Sequence, residues 1–364
     1  MKLVTVVGAR PNFMKIAPLL WEIERRPEIA AYMVHTGQHY DRAMSTLFFD
    51  QLRIPRPDIN LEVGSGSHAV QTAEVMKRFE PVVQEQRPDA IVVVGDVNST
   101  LACALTGVKM GVPVAHVEAG LRSFDRSMPE EINRILTDTI SQWLFVTERS
   151  GLVNLKKEGI PDERVFFVGN VMIDTLLACR AQSEESPILE NFGLVNERYA
   201  VLTLHRPSNV DDPRVLDGLL TAVDRLQREV PVVFPVHPRT RKVLEGRVNG
   251  SMPHLRLSDP LGYLDFLKLV AHSRLVLTDS GGLQEETTVL GVPCLTLRTT
   301  TERPATVEQG TNVLVGLDPD RIIASGLQAL SMPPDPRRVP DLWDGRAASR
   351  ILDILGSHLS SRSE

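Results

Sequence analysis

The sequence predicts an α/β fold made of two doubly wound parallel sheets with a central cleft between them. Three observations lead there. Short apolar runs rich in β-branched residues alternate with segments of helical periodicity, the pattern of parallel strands covered on both faces. The alternation falls into two series, parted by the polar stretch Ala181-Gln182-Ser183-Glu184-Glu185-Ser186-Pro187, of the kind found between domains. The polar clusters sit just after strands: Arg10, His35 to His39, Asp96, Glu118, His205-Arg206, His237 and Ser280. Open α/β sheets bind ligands off the C-terminal ends of their strands, so both series are expected to point chemistry at one site.

The first series opens with Leu3-Val4-Thr5-Val6-Val7, a buried strand ended by Gly8, followed by a turn and a helix from Phe13 to Arg25. Strand and helix then repeat: Tyr32 to Thr36, Val70 to Glu85, Ala90 to Gly95, Thr100 to Met110, Val112 to Val117, Glu130 to Gln142. Strands at Trp143 to Thr147 and Val165 to Gly169 close it. The second series has strands at Tyr199 to Leu204, Val232 to Val236, Arg274 to Thr278 and Pro293 to Leu297, and a helix from Ile322 to Leu330. Pro333-Pro334-Asp335-Pro336 breaks regular structure before a last helix, Arg346 to Leu359.

Composition narrows the function. A chain of 364 residues suits two domains of ordinary size, and 42% hydrophobic with 24% charged residues is globular composition. Aromatics at 5%, a net charge of −6 and no long Lys/Arg block argue against nucleic acid and membrane surfaces as partners. Cys103, Cys179 and Cys294 lie far apart without metal-ligand spacing and read as buried residues of a reducing compartment. With no signal peptide before Leu3 and no apolar run near the ~20 residues of a spanning helix, a cytoplasmic protein is expected. No Gly-x-Gly-x-x-Gly follows the first strand, and no Walker, His-Glu-x-x-His or Gly-x-Ser-x-Gly motif occurs. No cofactor and no metal is expected.

The most informative stretch is Leu275-Val276-Leu277-Thr278-Asp279-Ser280-Gly281-Gly282-Leu283-Gln284-Glu285-Glu286, a strand, a two-glycine turn and the start of a helix. Gly281 and Gly282 admit a ligand close to the backbone, and the helix turns unpaired N–H groups toward it. Ser280 is placed as an N-cap and as a hydroxyl donor to an anion, with Glu286 about two turns on, toward a sugar hydroxyl. An ordinary strand-to-helix turn looks the same taken alone. In the first half, Gly95-Asp96 and His116-Val117-Glu118-Ala119-Gly120 end strands, and Pro129-Glu130-Glu131-Ile132-Asn133-Arg134 opens a helix. Asp96 also suits a turn cap, and Glu130 and Glu131 a helix dipole, but glutamate has no special use in the tight turn at Glu118. Three converging carboxylates repel, so one is expected to hold a raised pKa and to pair as acid with a base. His205 is a candidate neutral-pH partner, and Arg10, Lys15, Arg206 and Arg303 are candidate diphosphate ligands.

Gly8-Ala9-Arg10-Pro11 with Lys15, Gly95-Asp96, His116 to Arg122, Pro129 to Arg134, Asp279 to Glu286 and Thr301-Glu302-Arg303-Pro304 occur in that order, and the likeness runs to Asp344-Gly345-Arg346-Ala347. Together they closely resemble the non-hydrolysing bacterial UDP-N-acetylglucosamine 2-epimerases. The resemblance implies a glycosyltransferase-B-like pair of Rossmann-like domains: a catalytic one over 1–175, a UDP-binding one over 176–345, and a helix over 346–364 that packs back on the first. It implies interconversion of UDP-GlcNAc and UDP-ManNAc through 2-acetamidoglucal, without NAD, by a homodimer serving cell-envelope polysaccharide synthesis. Asp96, Glu118, Glu131 and His205 would form the acid/base and electrostatic set. Arg10, Ser280, Gly281, Gly282 and Arg303 would hold the diphosphate region, Glu286 the ribose, and Phe266 would lie by the uracil. Lys15, Arg134 and His237 would complete the substrate-contacting set.

The chain departs from the bacterial pattern at Ala9, Asn12-Phe13, Tyr40-Asp41 and Pro207. Tyr40-Asp41 and Pro207 lie where many members hold an activating UDP-GlcNAc, so a near-hyperbolic substrate dependence is expected. The first loop and Arg122-Ser123-Phe124 resemble relatives acting on UDP-2,3-diacetamido uronic acids. A glycosyltransferase of the same fold and a non-catalytic nucleotide-sugar sensor remain as alternatives, told apart by acceptor transfer and by UDP binding without turnover.

Overall fold

The computed structural model describes residues 1–37, 48–236, 238–244, 246–248, 252–332 and 339–360, with only the backbone of Arg10, Pro238 and Arg239. Its framework is two all-parallel sheets. The first holds β1 (Lys2–Val7), β2 (Ala30–His35), β3 (Ile59–Asn60), β4 (Ala90–Val94), β5 (Val114–Ala119), β6 (Trp143–Val146) and β7 (Val165–Phe167), in the spatial order β3-β2-β1-β4-β5-β6-β7. The second holds β8 (Ala200–Thr203), β9 (Val232–Pro235), β10 (Leu255–Ser258), β11 (Leu275–Thr278), β12 (Cys294–Thr296) and β13 (Asn312–Leu314), in the order β10-β9-β8-β11-β12-β13. Each order reverses once, between β1 and β4 and between β8 and β11, which is where doubly wound sheets open for a ligand.

The central strands are apolar because helices cover both faces: all five residues of β4, Ala90–Val94, are buried. On one face of the first sheet Val4, Val6, Ile91 and Val93 pack with Phe79, Val82 and Val83 of the helix His68–Gln86. In the second sheet Ala200, Leu202, Leu275 and Leu277 pack with Leu216, Leu219, Leu220 and Val223 of the helix Pro213–Leu226. The expected α/β architecture is thus present. Three strands, β3, β10 and β13, escape the sequence reading. All are edge strands of two to four residues that carry polar or exposed positions, so no apolar run marks them.

The chain divides into two compact units, Met1–Ala178 with Asp341–Glu364, and Cys179–Pro340. The break falls inside the helix Val171–Ser183, which takes in the first residues of the polar stretch read as a linker. In the first unit the last helix, Ala347–Ser360, turns Ile351, Leu352 and Leu355 inward and lies against the helix Arg10–Glu24. Arg26 bridges to Asp353 at 2.7 Å, and Trp343 Nε1 donates to the Thr147 carbonyl at 2.9 Å. Asp174 accepts the amides of Ala347 and Ala348 at 3.2 and 2.8 Å, satisfying orphan donors of that helix. Burial pushes the Asp174 carboxyl up to about 6. Among the described residues no helix is long and apolar enough to cross a membrane.

Candidate functional site

In the first unit the site residues gather at the reversal between β1 and β4 and on the neighbouring β5. Glu118 lies in β5, where the register with β6 shifts between Val117 and Ala119, and its φ is +78°. A β-bulge re-aims a side chain, and a glutamate held in the left-handed region is costly unless its surroundings impose it. The buried Glu118 carboxylate pairs with Lys15 Nζ, itself buried on the helix Arg10–Glu24. Gly95, with φ +68°, sits against this pair, and a Cβ there would fall 2.8 Å from Lys15 Nζ and 3.3 Å from Glu118 Oε2. Glycine is therefore required directly before Asp96. Asn12 ties the first turn to β4, accepting from the Ala9 amide at 3.0 Å and donating to the Val94 carbonyl at 2.8 Å. Phe13 is core, stacked on His35 with ring centroids 5.5 Å apart.

Asp96 follows β4 with its side chain 23% exposed, and its Oδ2 accepts from Arg134 Nε at 3.0 Å. The same guanidinium donates through Nη1 to Glu131 Oε2 at 2.6 Å. Each of the three carboxylates is thus paired with a cation, Glu118 with Lys15 and both Asp96 and Glu131 with Arg134. Glu131 is fully buried, and its other partners lie in the loop before its own helix, Pro129–Ile140. Its oxygens accept the Ser123 amide at 2.9 Å, the Ser123 hydroxyl at 3.0 Å and the Phe124 amide at 2.9 Å. That makes Glu131 the peg of the loop, which holds Phe124 at φ +59° with the residue 76% exposed. The next residue back, Glu130, is only half-buried.

In the second unit Asp279 is the organising carboxylate. It is buried at the end of β11 and accepts the backbone amides of His205 and Arg206 at 3.0 and 2.9 Å, and His205 Nδ1 lies 2.7 Å from its Oδ1. Burial pushes its carboxyl up, but His205 and these amides outweigh that and leave it below the usual carboxylate range. His205 follows β8, with its side chain 50% exposed, and a buried carboxylate orienting one ring nitrogen leaves the other for a ligand. Pro207 takes the first position of the short helix Pro207–Val210, where a missing N–H costs nothing.

Ser280 occupies the N-cap position of the helix Gly281–Leu290, but its hydroxyl makes no capping bond, so the capping role expected of it is not used. Gly281 is needed for close approach: a Cβ would fall 2.6 Å from Arg303 Nη1 and 2.7 Å from Glu302 Oε1. Arg303, buried, pairs with Glu302 at 2.7 Å and Glu285 at 3.0 Å. Gly282 is the next residue of the same helix turn. Deeper in that helix Glu286 is buried and accepts from the Tyr263 hydroxyl at 3.2 Å. Burial pushes its carboxyl up to about 7, with the Tyr263 hydrogen bond pulling the other way. Phe266, on the helix Tyr263–Ala271, is half-buried against Leu269, Val270 and Leu283.

The second unit thus brings His205, Ser280, Gly281, Gly282 and Arg303 to the ends of β8 and β11. The first unit brings Lys15, Asp96, Glu118, Glu131 and Arg134 together. The Arg10 side chain, His237 and Tyr40-Asp41 lie outside the described residues. Asp279 was not singled out from sequence as the residue behind His205, because 74 residues separate the partners and only the β8–β11 pairing joins them.

Comparison with known proteins follows the same outline. The family model for UDP-N-acetylglucosamine 2-epimerase matches residues 21–356. A Methanococcus maripaludis protein named as a UDP-N-acetylglucosamine 2-epimerase homolog is 46% identical over 89% of this chain and 91% of its own. A Pseudomonas aeruginosa protein named UDP-2,3-diacetamido-2,3-dideoxy-D-glucuronate 2-epimerase is 43% identical over 98% of this chain and 99% of its own. The crystal structure of Methanocaldococcus jannaschii UDP-GlcNAc 2-epimerase in complex with UDP-GlcNAc and UDP superposes with a TM-score of 0.91 at 40% identity, covering 98% of this chain and all of that one. The chain belongs to the UDP-N-acetylglucosamine 2-epimerase family.

Proposed function

We propose that the protein interconverts UDP-N-acetylglucosamine and UDP-N-acetylmannosamine by reversible epimerisation at C2. One carboxylate of the Asp96–Glu118 pair takes the C2 proton while the C1–O bond to UDP breaks. The C2–H electron pair becomes the C1–C2 double bond of 2-acetamidoglucal, and the C1–O pair leaves with UDP. The other carboxyl, protonated from solvent before UDP returns, gives its proton to the opposite face of C2 as UDP adds back at C1, and the first releases its proton to solvent. Lys15 and Arg134 set cations against the two carboxylates. In the second unit Arg303, His205 and the N-terminus of the helix Gly281–Leu290 offset the charge gathering on the departing diphosphate. Glu131 serves the reaction by pegging the Ser123-Phe124 loop. The observation that carries this reading is Glu118, held on a bulge at φ +78° against a buried lysine, a strained placement of the kind that collects at functional sites.

A second substrate is favoured by the identity of 43% to the Pseudomonas aeruginosa protein named for a diacetamido uronate. Both substrates undergo the same step and are separated by one experiment. Incubation in D₂O, without nicotinamide or acceptor, is expected to replace the C2 hydrogen of UDP-GlcNAc by deuterium while UDP-ManNAc appears, followed by proton NMR. Epimerisation that retains the original C2 hydrogen overturns the elimination route. Exchange confined to the UDP-2,3-diacetamido uronic acid assigns that sugar as the substrate.

A further inference from the structure

His116 has no task in the chemistry above, yet it is wholly buried on β5, two residues before Glu118 and beside the turn that carries Asp96. Its Nε2 lies 2.8 Å from the Gly95 carbonyl and its Nδ1 lies 2.6 Å from Asp138 Oδ1. A carbonyl oxygen can only accept, so Nε2 carries a proton. Asp138 is also wholly buried, on the helix Pro129–Ile140. Burial pushes its carboxyl up, but His116 and Arg122 outweigh that and hold it below the usual range. With the Gly120 amide and Arg122 both on its other oxygen, Asp138 stands ionised and can only accept, so Nδ1 carries a second proton.

The other Asp138 oxygen accepts the Gly120 amide at 3.0 Å and lies 2.7 Å from Arg122 Nη2, and Arg122 in turn forks onto Glu158 at 2.8 and 2.7 Å. His116 and Arg122 then face Asp138 and Glu158 as two cations against two anions, the balance a buried charge needs. Gly95 and Gly120 both have positive φ, +68° and +80°, and flank the reacting residues: one directly precedes Asp96, the other follows Glu118 by two. Glycine peptides in that region turn over easily unless their polar groups are held.

We propose that His116 and Asp138 form a positioning dyad, in which a doubly protonated imidazole holds the Gly95 carbonyl and its carboxylate holds the Gly120 amide, fixing Asp96 relative to Glu118. The inference rests on the reading of those two carboxylates as the proton-transfer pair. A singly protonated ring would leave either the Gly95 carbonyl or Asp138 without its donor, so the dyad works only while both protons stay.

The test uses the full chain. Wild-type enzyme that exchanges neither nucleotide sugar at C2 in D₂O overturns the underlying reading, and the dyad's role with it. Given exchange, His116→Gln, which keeps one donor, is expected to lower kcat about 10²-fold, the usual effect of a small misplacement, with KM and UDP affinity near wild type. Unchanged kcat overturns the proposal, as does a loss confined to KM. Long-range ¹H–¹⁵N spectra of histidine-labelled wild-type protein keep it falsifiable where His116→Gln fails to fold. The His116 ring is expected to show two protonated nitrogens, one toward the Gly95 carbonyl and one toward Asp138. It is expected to lose one of them in Asp138→Asn, a response that mere packing would not produce. A singly protonated ring in the wild type overturns the proposal.

Discussion

At the scale of single residues, carboxylates with similar sequence surroundings do different work. Asp96 and Glu118 each meet a cation at a strand end, whereas Glu131 spends its oxygens on two backbone amides, a hydroxyl and Arg134. Asp96→Asn and Glu118→Gln are therefore expected to keep UDP binding and to lose about 10²–10⁴ of turnover, measured by initial rates and calorimetric titration. Glu131→Gln is expected to lose turnover together with about 1–3 kcal/mol of stability, because its amide group turns a donor toward donors. Wild-type turnover in Asp96→Asn and Glu118→Gln together would remove the carboxylate mechanism. The sequence predicts a tight turn at Glu118, where glutamate is out of place, but the residue lies inside β5 on its bulge. The task of Glu131 was not legible, because its partners are backbone groups of Ser123 and Phe124, which no residue pattern records.

Elements show where legibility ends. Central strands announce themselves through burial on both faces, as β4 does with five buried residues in a row. The edge strands β3, β10 and β13 do not, and neither does the bulge in β5, since a one-residue register shift leaves composition unchanged. The helix Gly281–Leu290 was legible at its glycine-rich start, but the state of Glu286 depends on Tyr263 from another helix. The carboxyl of Glu286, raised by burial to about 7 from an ordinary 4.5, stays protonated in the fold at pH values where the unfolded chain has ionised. Its contribution to stability is thus complete below about pH 4.5 and lost as pH rises through about 7. Glu286→Gln, neutral at every pH, is expected to flatten that part of the profile. Melting temperature measured from pH 5 to pH 8 should then fall less in the variant than in the wild type; parallel falls would refute the assignment.

For the whole molecule, the decisive feature is that the first unit is built from both ends of the chain, Met1–Ala178 and Asp341–Glu364. The apolar stripe of the last helix, with Ile351 and Leu355 wholly buried, completes its core. Ile351→Ala is expected to cost about 2–5 kcal/mol, the range for emptying such a site. Calorimetry should show the transition of the first unit moving down while UDP binding, which we assign to the second, is retained; an unshifted melt would show that the helix is dispensable. The same chain order governs how the protein is born. At synthesis rates of about 5–20 residues per second, the ribosome finishes the strands of the first sheet roughly 10–40 s before it delivers the helix that seals them. During that interval the nascent first half waits with an open seam while the second half, contiguous in sequence, is free to fold to completion. Chaperones have their opportunity in that wait, and the unit carrying the proposed proton-transfer residues is the last to close.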